Sequence, residues 1–192
     1  MKKIYLGFII IFCSLSLNAQ TVVINEVYGG GGNAGSNYKN DFIELYNNSS
    51  SAVNLTGWSV QYASAAGSSW QVTILTGTIA ANGYYLIQEA QGTGGTTNLP
   101  TPDVTGTIPM SGTAGKVILV NVTTAQTGPC PSGAQIIDKV GFGAAANCVE
   151  GSGPTTAPSN TNSVQRTPIG IDTDQNAADF TAGLPSPVSG SG

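Results

Sequence analysis

Apolar and polar residues alternate in short runs along this chain, and the runs are separated by glycine, serine, asparagine and proline. "TVVINEVYGG" (21–30) reads as a first strand, "DFIELYN" (41–47) as a second and "WSVQYA" (58–63) as a third. "WQVTIL" (70–75) follows, then Tyr84 to Glu89 after an Asn82-Gly83 turn, then "GKVILVNV" (115–122). "QIIDKVGFG" (135–143) reads as the last core strand. Glycines and prolines interrupt each helical pattern except the weak "NAADF" (176–180). The pattern predicts an all-β fold, a β-sandwich of seven to nine short strands. In the second strand, Ile43 and Leu45 point to one face and Phe42, Glu44 and Tyr46 to the other. Trp58 follows a turn at Thr56-Gly57, where Gly57 supplies a positive φ, and is expected to anchor the core between sheets. The four glycines of 29–32 form a loop. A strand follows them rather than a helix, so they lack the setting of a phosphate cradle.

Composition narrows the chemistry. Only 8% of residues are charged, and there is no histidine, which removes the commonest general base and zinc ligand. The net charge of −4 offers no electrostatic footprint for nucleic acid. Residues 1–20 have Lys2 and Lys3, an apolar stretch from Ile4 to Leu17 and a small residue at Ala19, the pattern of a secretory signal peptide. That stretch is shorter than the roughly 20 residues a membrane span needs, so no span is expected after its removal. Cys13 would leave with it. Loss of Lys2 and Lys3 brings the mature charge to −6. Cys130 and Cys148 then remain, an even count that in an exported chain predicts one disulfide, worth about 3 kcal/mol by loop closure. Residues 21–150 are expected to form the sandwich, and 151–184 a surface loop and a tail docked through Val164, Ile169, Ile171 and Phe180. Residues 185–192, "PSPVSGSG", read as a linker to an absent downstream region.

The few acids are the candidate chemistry. Glu44 in an apolar strand needs dedicated donors, and the nearest suppliers are the glycine-rich loop and the "NSSS" turn (48–51). Against this structural reading stands a calcium site, since oxygen ligands from Glu26, Asp41 and Glu44 would suit that ion. Asp172 and Asp174 in "DTDQNAADF" begin with EF-hand spacing, but the glycine and the closing glutamate of that loop are missing, which leaves only a looser calcium loop or turn chemistry. No cofactor is expected, with calcium the one ion to test. Without histidine a Ser–His–Asp site cannot be built. Tyr28, Tyr38, Tyr46, Tyr62, Tyr84 and Tyr85 read either as a sugar-binding strip or as half-buried sheet positions.

"FIELYNNSSSAVNLTGWSVQY", continued by "GTIAANGYYLIQEAQGTGG" and "GTAGKVILVN", is similar to the signature of the lamin tail domain over about Val22 to Phe142. The resemblance implies an immunoglobulin-like sandwich. The region from "VGFGAAANCVEGSG" to "DTDQNAADF" further resembles the bacterial secreted branch, whose domains often precede extracellular nuclease, phosphoesterase or surface-sorting domains. The expectation is a secreted, non-enzymatic accessory or adhesion module of a larger extracellular bacterial protein, at the cell surface or released, whose partner is unknown and could be a surface polysaccharide or protein. The alternatives are an N-terminal accessory domain of an extracellular nuclease or phosphoesterase, and a calcium-stabilised carbohydrate-binding module.

Overall fold

Short alternating runs with glycine at their ends make strands that pair locally and then stack, and the described residues, 21–190 of a computed structural model, do so. The expected signal segment 1–20, with Cys13, lies outside the described residues. In chain order the elements are β1 (Val22–Tyr28), β2 (Asn40–Asn47), β3 (Val53–Asn54), β4 (Ser59–Ser64), β5 (Gln71–Ile74), β6 (Thr78–Ile79) and β7 (Tyr84–Gln91). They continue as β8 (Val104–Thr105), β9 (Gly115–Val120), β10 (Ile136–Phe142), β11 (Ser163–Arg166), the single helical turn α1 (Asn176–Asp179) and β12 (Phe180–Gly183). A six-stranded sheet has the order β12-β11-β1-β2-β7-β8, a four-stranded sheet β10-β9-β4-β5, and β3 pairs with β6 apart from both. Pairing is antiparallel except between β7 and β8.

The two larger sheets bury one face each against the other. Ile24, Val27, Ile43, Leu45 and Ile87 from the first meet Val60, Val117, Leu119, Val140 and Phe142 from the second. The alternation expected in β2 holds, with Ile43 and Leu45 in that core and Phe42 in a separate cluster with Tyr28 and Leu86. β1 does not alternate simply. Its register with β2 shifts between Ile24 and Glu26, so Asn25 is an extra residue. This bulge lets Ile24 and Val27, three apart, both face the core while Glu26 faces out.

Several expectations are corrected. The chain forms more strands than seven to nine, because two-residue pieces and the C-terminal strands add to the count. β10 is not the last core strand. The segment expected only to dock supplies β11 and β12, and β11 pairs with β1 beside the core. Val164 and Phe180 are buried as anchors, but Ile169 and Ile171 are about half exposed. Trp58 packs half-buried at the core's margin. The buried tryptophan is Trp70, on the outer face of the smaller sheet with Ile118 and Val120, its indole N–H donated to Gly128 O. Gly57 has the expected positive φ, 91°. Cys130 and Cys148 are joined, as the exported reading expected.

The glycine run is required by close approach. A Cβ on Gly31 would lie 2.0 Å from the Asn40 carbonyl carbon and oxygen. Gly31→Ala should therefore cost about 1–3 kcal/mol by displacing β2. Gly153 has open space around its Cβ position and no positive φ, so Gly153→Ala should stay within about 0.5 kcal/mol of the parent. Equilibrium denaturation of the two variants checks this; equal stabilities would contradict the packing of the loop.

Candidate functional site

The outer face of the six-stranded sheet carries the densest polar arrangement that is not simply a turn. Glu26 and Glu44 are directly opposed across β1 and β2. Along the same face, Tyr28 and Phe42 lie on one side of them, ring centroids 5.4 Å apart, and Tyr46 and Tyr84 on the other, 5.0 Å apart. Like charges so placed repel, so each needs compensation. The bulged Asn25 donates its amide to Glu44 Oε1 at 2.8 Å.

The remaining donors come from the C-terminal segment. Ser186 N donates to Glu26 Oε1 at 3.0 Å and Ser186 Oγ to Oε2 at 3.1 Å. Val188 N donates to Glu44 Oε2 at 2.6 Å, and Gly190 N to Asp103 Oδ2 at 2.9 Å. Gln165 Nε2 reaches back to Leu184 O at 2.5 Å. Residues 184–190 thus cross the sheet from β11 over β1 and β2 towards β8, with alternate residues donating. Residues expected to be a free linker are in this part a strap. Beside it opens a cleft of about 390 Å³ whose walls include Glu26, Glu44, Tyr84, Thr167, Ile169 and Val188.

Burial dominates the electrostatics. It raises Glu44 to about 7, against the pull of the Asn25 and Val188 hydrogen bonds and with help from the Glu26 charge. Glu26 is raised for the same first reason, opposed by bonds from Ser163, Ser186 and Gln165. The donors to Glu44 are therefore not the glycine-rich loop or the 48–51 turn. That loop serves Asp41 instead: Gly31 N donates to Oδ1 at 2.9 Å and Met110 N to Oδ2 at 2.8 Å. Asp41 and Glu89, which accepts from Ile108 N at 2.8 Å, together hold the segment before β9. Burial raises both acids to about 7.

Of the five residues read as calcium ligands, the structure brings Glu26 and Glu44 together and commits Asp41 to two main-chain donors elsewhere. Asp172 lies in another cluster, and Asp174 is exposed, with its N–H bonded to Asp172 Oδ1. Ligand-capable oxygens of Asp138, Glu150 and Asp172 lie within 4.8 Å of one another. Arg166 sits among them. Its Nη2 donates to Asp138 Oδ2 at 3.0 Å, and its Nη1 to Asp172 Oδ1 at 3.0 Å and Asp179 Oδ2 at 3.3 Å. Its Nε donates to Ile24 O and its plane lies 4.5 Å from the Phe180 ring centroid. The guanidinium thus supplies the positive charge that a metal would bring. Burial, followed by the Asp138 and Asp172 charges, raises Glu150. Burial raises Asp138 too, opposed by Arg166.

Sequence reading missed Arg166, Asp138, Glu89, Glu150 and Lys116. Lys116 is fully buried, lies over Trp70 and donates to Gly67 O, Pro129 O and Asn147 Oδ1. A charge inside an apolar run, as in "GKVILV" and "IIDKV", was the available signal; it was applied to Glu44 alone. The tyrosines do not form one strip: Tyr62 and Tyr85 face the inter-sheet core, and Tyr46 and Tyr84 lie half-buried on the outer face.

A family model described as Lamin Tail Domain matches residues 16–144. Among solved structures, the chain is similar to the crystal structure of a DUF4876 family protein from Bacteroides thetaiotaomicron VPI-5482, with a TM-score of 0.57 and 13% identity over 88% of this chain and 72% of that one. That likeness is one of fold. No curated protein matches.

The raised acids fix the sign of a pH dependence. An acid with a higher pKa folded than unfolded holds its proton more tightly in the folded state, so stability falls as pH rises between the two values. For Asp41 the interval runs from 3.8 to about 7, and for Glu44 and Glu89 from 4.5 to about 7. Asp179 is pushed up by burial but lowered overall by its bonds from Thr173, Gln175 and Arg166, and its contribution is lost only as pH falls below the ordinary carboxylate range. The melting temperature should therefore be higher near pH 5 than near pH 8, and level off above about 7. A melting temperature that rises across this interval would contradict the assignment.

Proposed function

The chain belongs to the lamin tail domain family, and from that premise we propose that it is an exported, non-catalytic display or adhesion module of a larger extracellular protein. One observation carries the reading. Each buried acid among the described residues accepts a main-chain N–H: Glu26 from Ser186, Asp41 from Gly31, Glu44 from Val188, Glu89 from Ile108, Asp138 from Ile24 and Asp179 from Thr173. Carboxylates used in this way hold loops to strands, and a general acid or base needs the same lone pairs for a substrate. The chain also has no histidine to serve in their place.

The setting follows from the disulfide, which belongs to an oxidising compartment and closes the loop between Cys130 and Cys148. No helix of the described residues is long and apolar enough to cross a membrane. A rigid sandwich with an apolar-rimmed cleft on its outer face suits contact with a surface polysaccharide or a protein. The Asp138–Glu150–Asp172 group is structural in this reading, because Arg166 neutralises it from within.

The purified chain should turn over neither DNA, phosphodiesters nor glycosides with added divalent metals. Calcium at millimolar concentration should leave its melting temperature unchanged. Turnover abolished by Glu150→Gln would sink the non-catalytic reading, and a calcium-dependent rise abolished by Asp172→Asn would give that cluster to the ion instead.

A further inference from the structure

We infer that the groove across the outer face of the six-stranded sheet is a recognition site for an extended, proline-spaced segment of a partner protein, and that residues 184–190 are its occupant in cis. The groove is built on one acceptor or donor from each of several successive positions in the sheet: Gln165 on β11, Glu26 on β1, Glu44 on β2 and Asp103 ahead of β8. Three of these groups read main-chain N–H at every second residue. Recognition therefore rests largely on backbone, and another segment of the same spacing can satisfy it.

The occupant shows what the spacing requires. Pro185 and Pro187 alternate with the donating residues Ser186 and Val188, and both prolines are buried. Proline has no N–H to leave unpaired and presets an extended backbone, which lowers the entropy lost on docking. Leu184 and Val188 point away from the sheet enough to remain 70% and 42% exposed, so their side chains contribute little to the fit. Asp103, Glu26 and Glu44 would repel an acidic segment, so the partner segment is neutral or basic. The cleft beside the strap, with Ile169 about half exposed at its margin and Tyr84 on its wall, gives such a segment room for a side chain that the strap does not supply. Displacement of the strap is the step that exposes the row of acids to a partner.

This inference deepens the display reading and rests on it. Hydrolytic turnover would remove that reading without touching the groove, whereas the peptide experiment below addresses the groove alone. The probe is a fluorescein-labelled peptide with the sequence of residues 183–190, titrated by anisotropy against the full chain and against a Ser186→Pro/Val188→Pro variant. The two substitutions delete the N–H groups given to Glu26 and Glu44 and leave the groove itself unaltered. The variant should bind the peptide about tenfold or more tightly than the intact chain does, because its own strap competes less well. A peptide carrying the same two prolines should bind neither. A folded, disulfide-linked variant that binds no better than the intact chain, or equal binding of the two peptides, would overturn the inference. So would a concentration-dependent dimer formed through exchanged straps, which would make a second copy the occupant. Hydrogen exchange on the unaltered chain gives an independent reading. The Ser186, Val188 and Gly190 amides should exchange through local detachment, faster than the paired amides of β2. Exchange of these amides only with global unfolding would mean that the strap is a fixed part of the fold.

Discussion

The fold depends on how a single arginine completes the edge of β1. β11 pairs with β1 at Glu26 and Val27 and no further, which leaves Ile24 without a strand partner on that side. Its N–H goes to Asp138 Oδ2 from the opposite sheet, and its carbonyl accepts Arg166 Nε. Arg166 Nη2 closes the triangle on Asp138. Main chain, acid and guanidinium thus join the two sheets at one point inside the sandwich. A buried ion pair adds little net stability over an apolar substitute, but loss of one partner strands the other at a cost of about 3–5 kcal/mol. The same guanidinium bonds Ile171 O, Asp172 and Asp179, so the loop after β11 and the turn α1 are organised around it. The last third of the chain is therefore not an appendage to a finished sandwich.

A second constraint follows from the small number of charges. A domain with 8% charged residues has few long polar side chains to cover loop backbone. Here buried carboxylates take over that task, each accepting N–H groups from a segment distant in sequence. Ionised acceptors make stronger hydrogen bonds than neutral ones, and aimed at backbone they fix position without a matching side chain. Lys116 does the converse on the outer face of the smaller sheet, where it gathers carbonyls from the 65–67 and 127–130 loops beside the disulfide. Desolvation opposes each of these bonds and raises the acids, so the scaffold holds its carboxyl groups close to neutrality at physiological pH.

What the sequence made legible was local. Period-two alternation placed Ile43 and Leu45 inside, and Gly57 marked a turn that needs a positive φ. The expectation that Glu44 has dedicated donors agrees with its bonds, but the donors come from Asn25 and from Val188, 144 residues away. Proximity along the chain suggested the glycine-rich loop because sheet order and the bulge at Asn25 leave no trace in periodicity. β11 was hidden for a related reason. "SVQR" is short, lies between turn-forming residues, and ends in an arginine whose burial only makes sense once Asp138 and Ile24 are beside it. Trp58 and Trp70 each begin an apolar run, and pattern alone could not say which ring the loops would cover.

The pairing of Glu26 with Glu44 explains why the strap is there at all. Two acids opposed on neighbouring strands would both ionise in water, and the unfolded chain keeps them apart. Folding forces them together and removes solvent, so each must be protonated or given a donor. Neighbouring side chains meet only part of this demand, with one amide from Asn25 and one from Gln165. The sheet cannot offer more, because its own N–H groups are spent on the ladder. What remains must arrive from above the sheet as backbone, and an extended segment with free N–H at every second residue is the simplest structure that brings it. The acid pair is thus a demand built into β1 and β2 that a chain segment answers. That demand is what turns an otherwise bland Ser-Pro sequence into a specific occupant of this face.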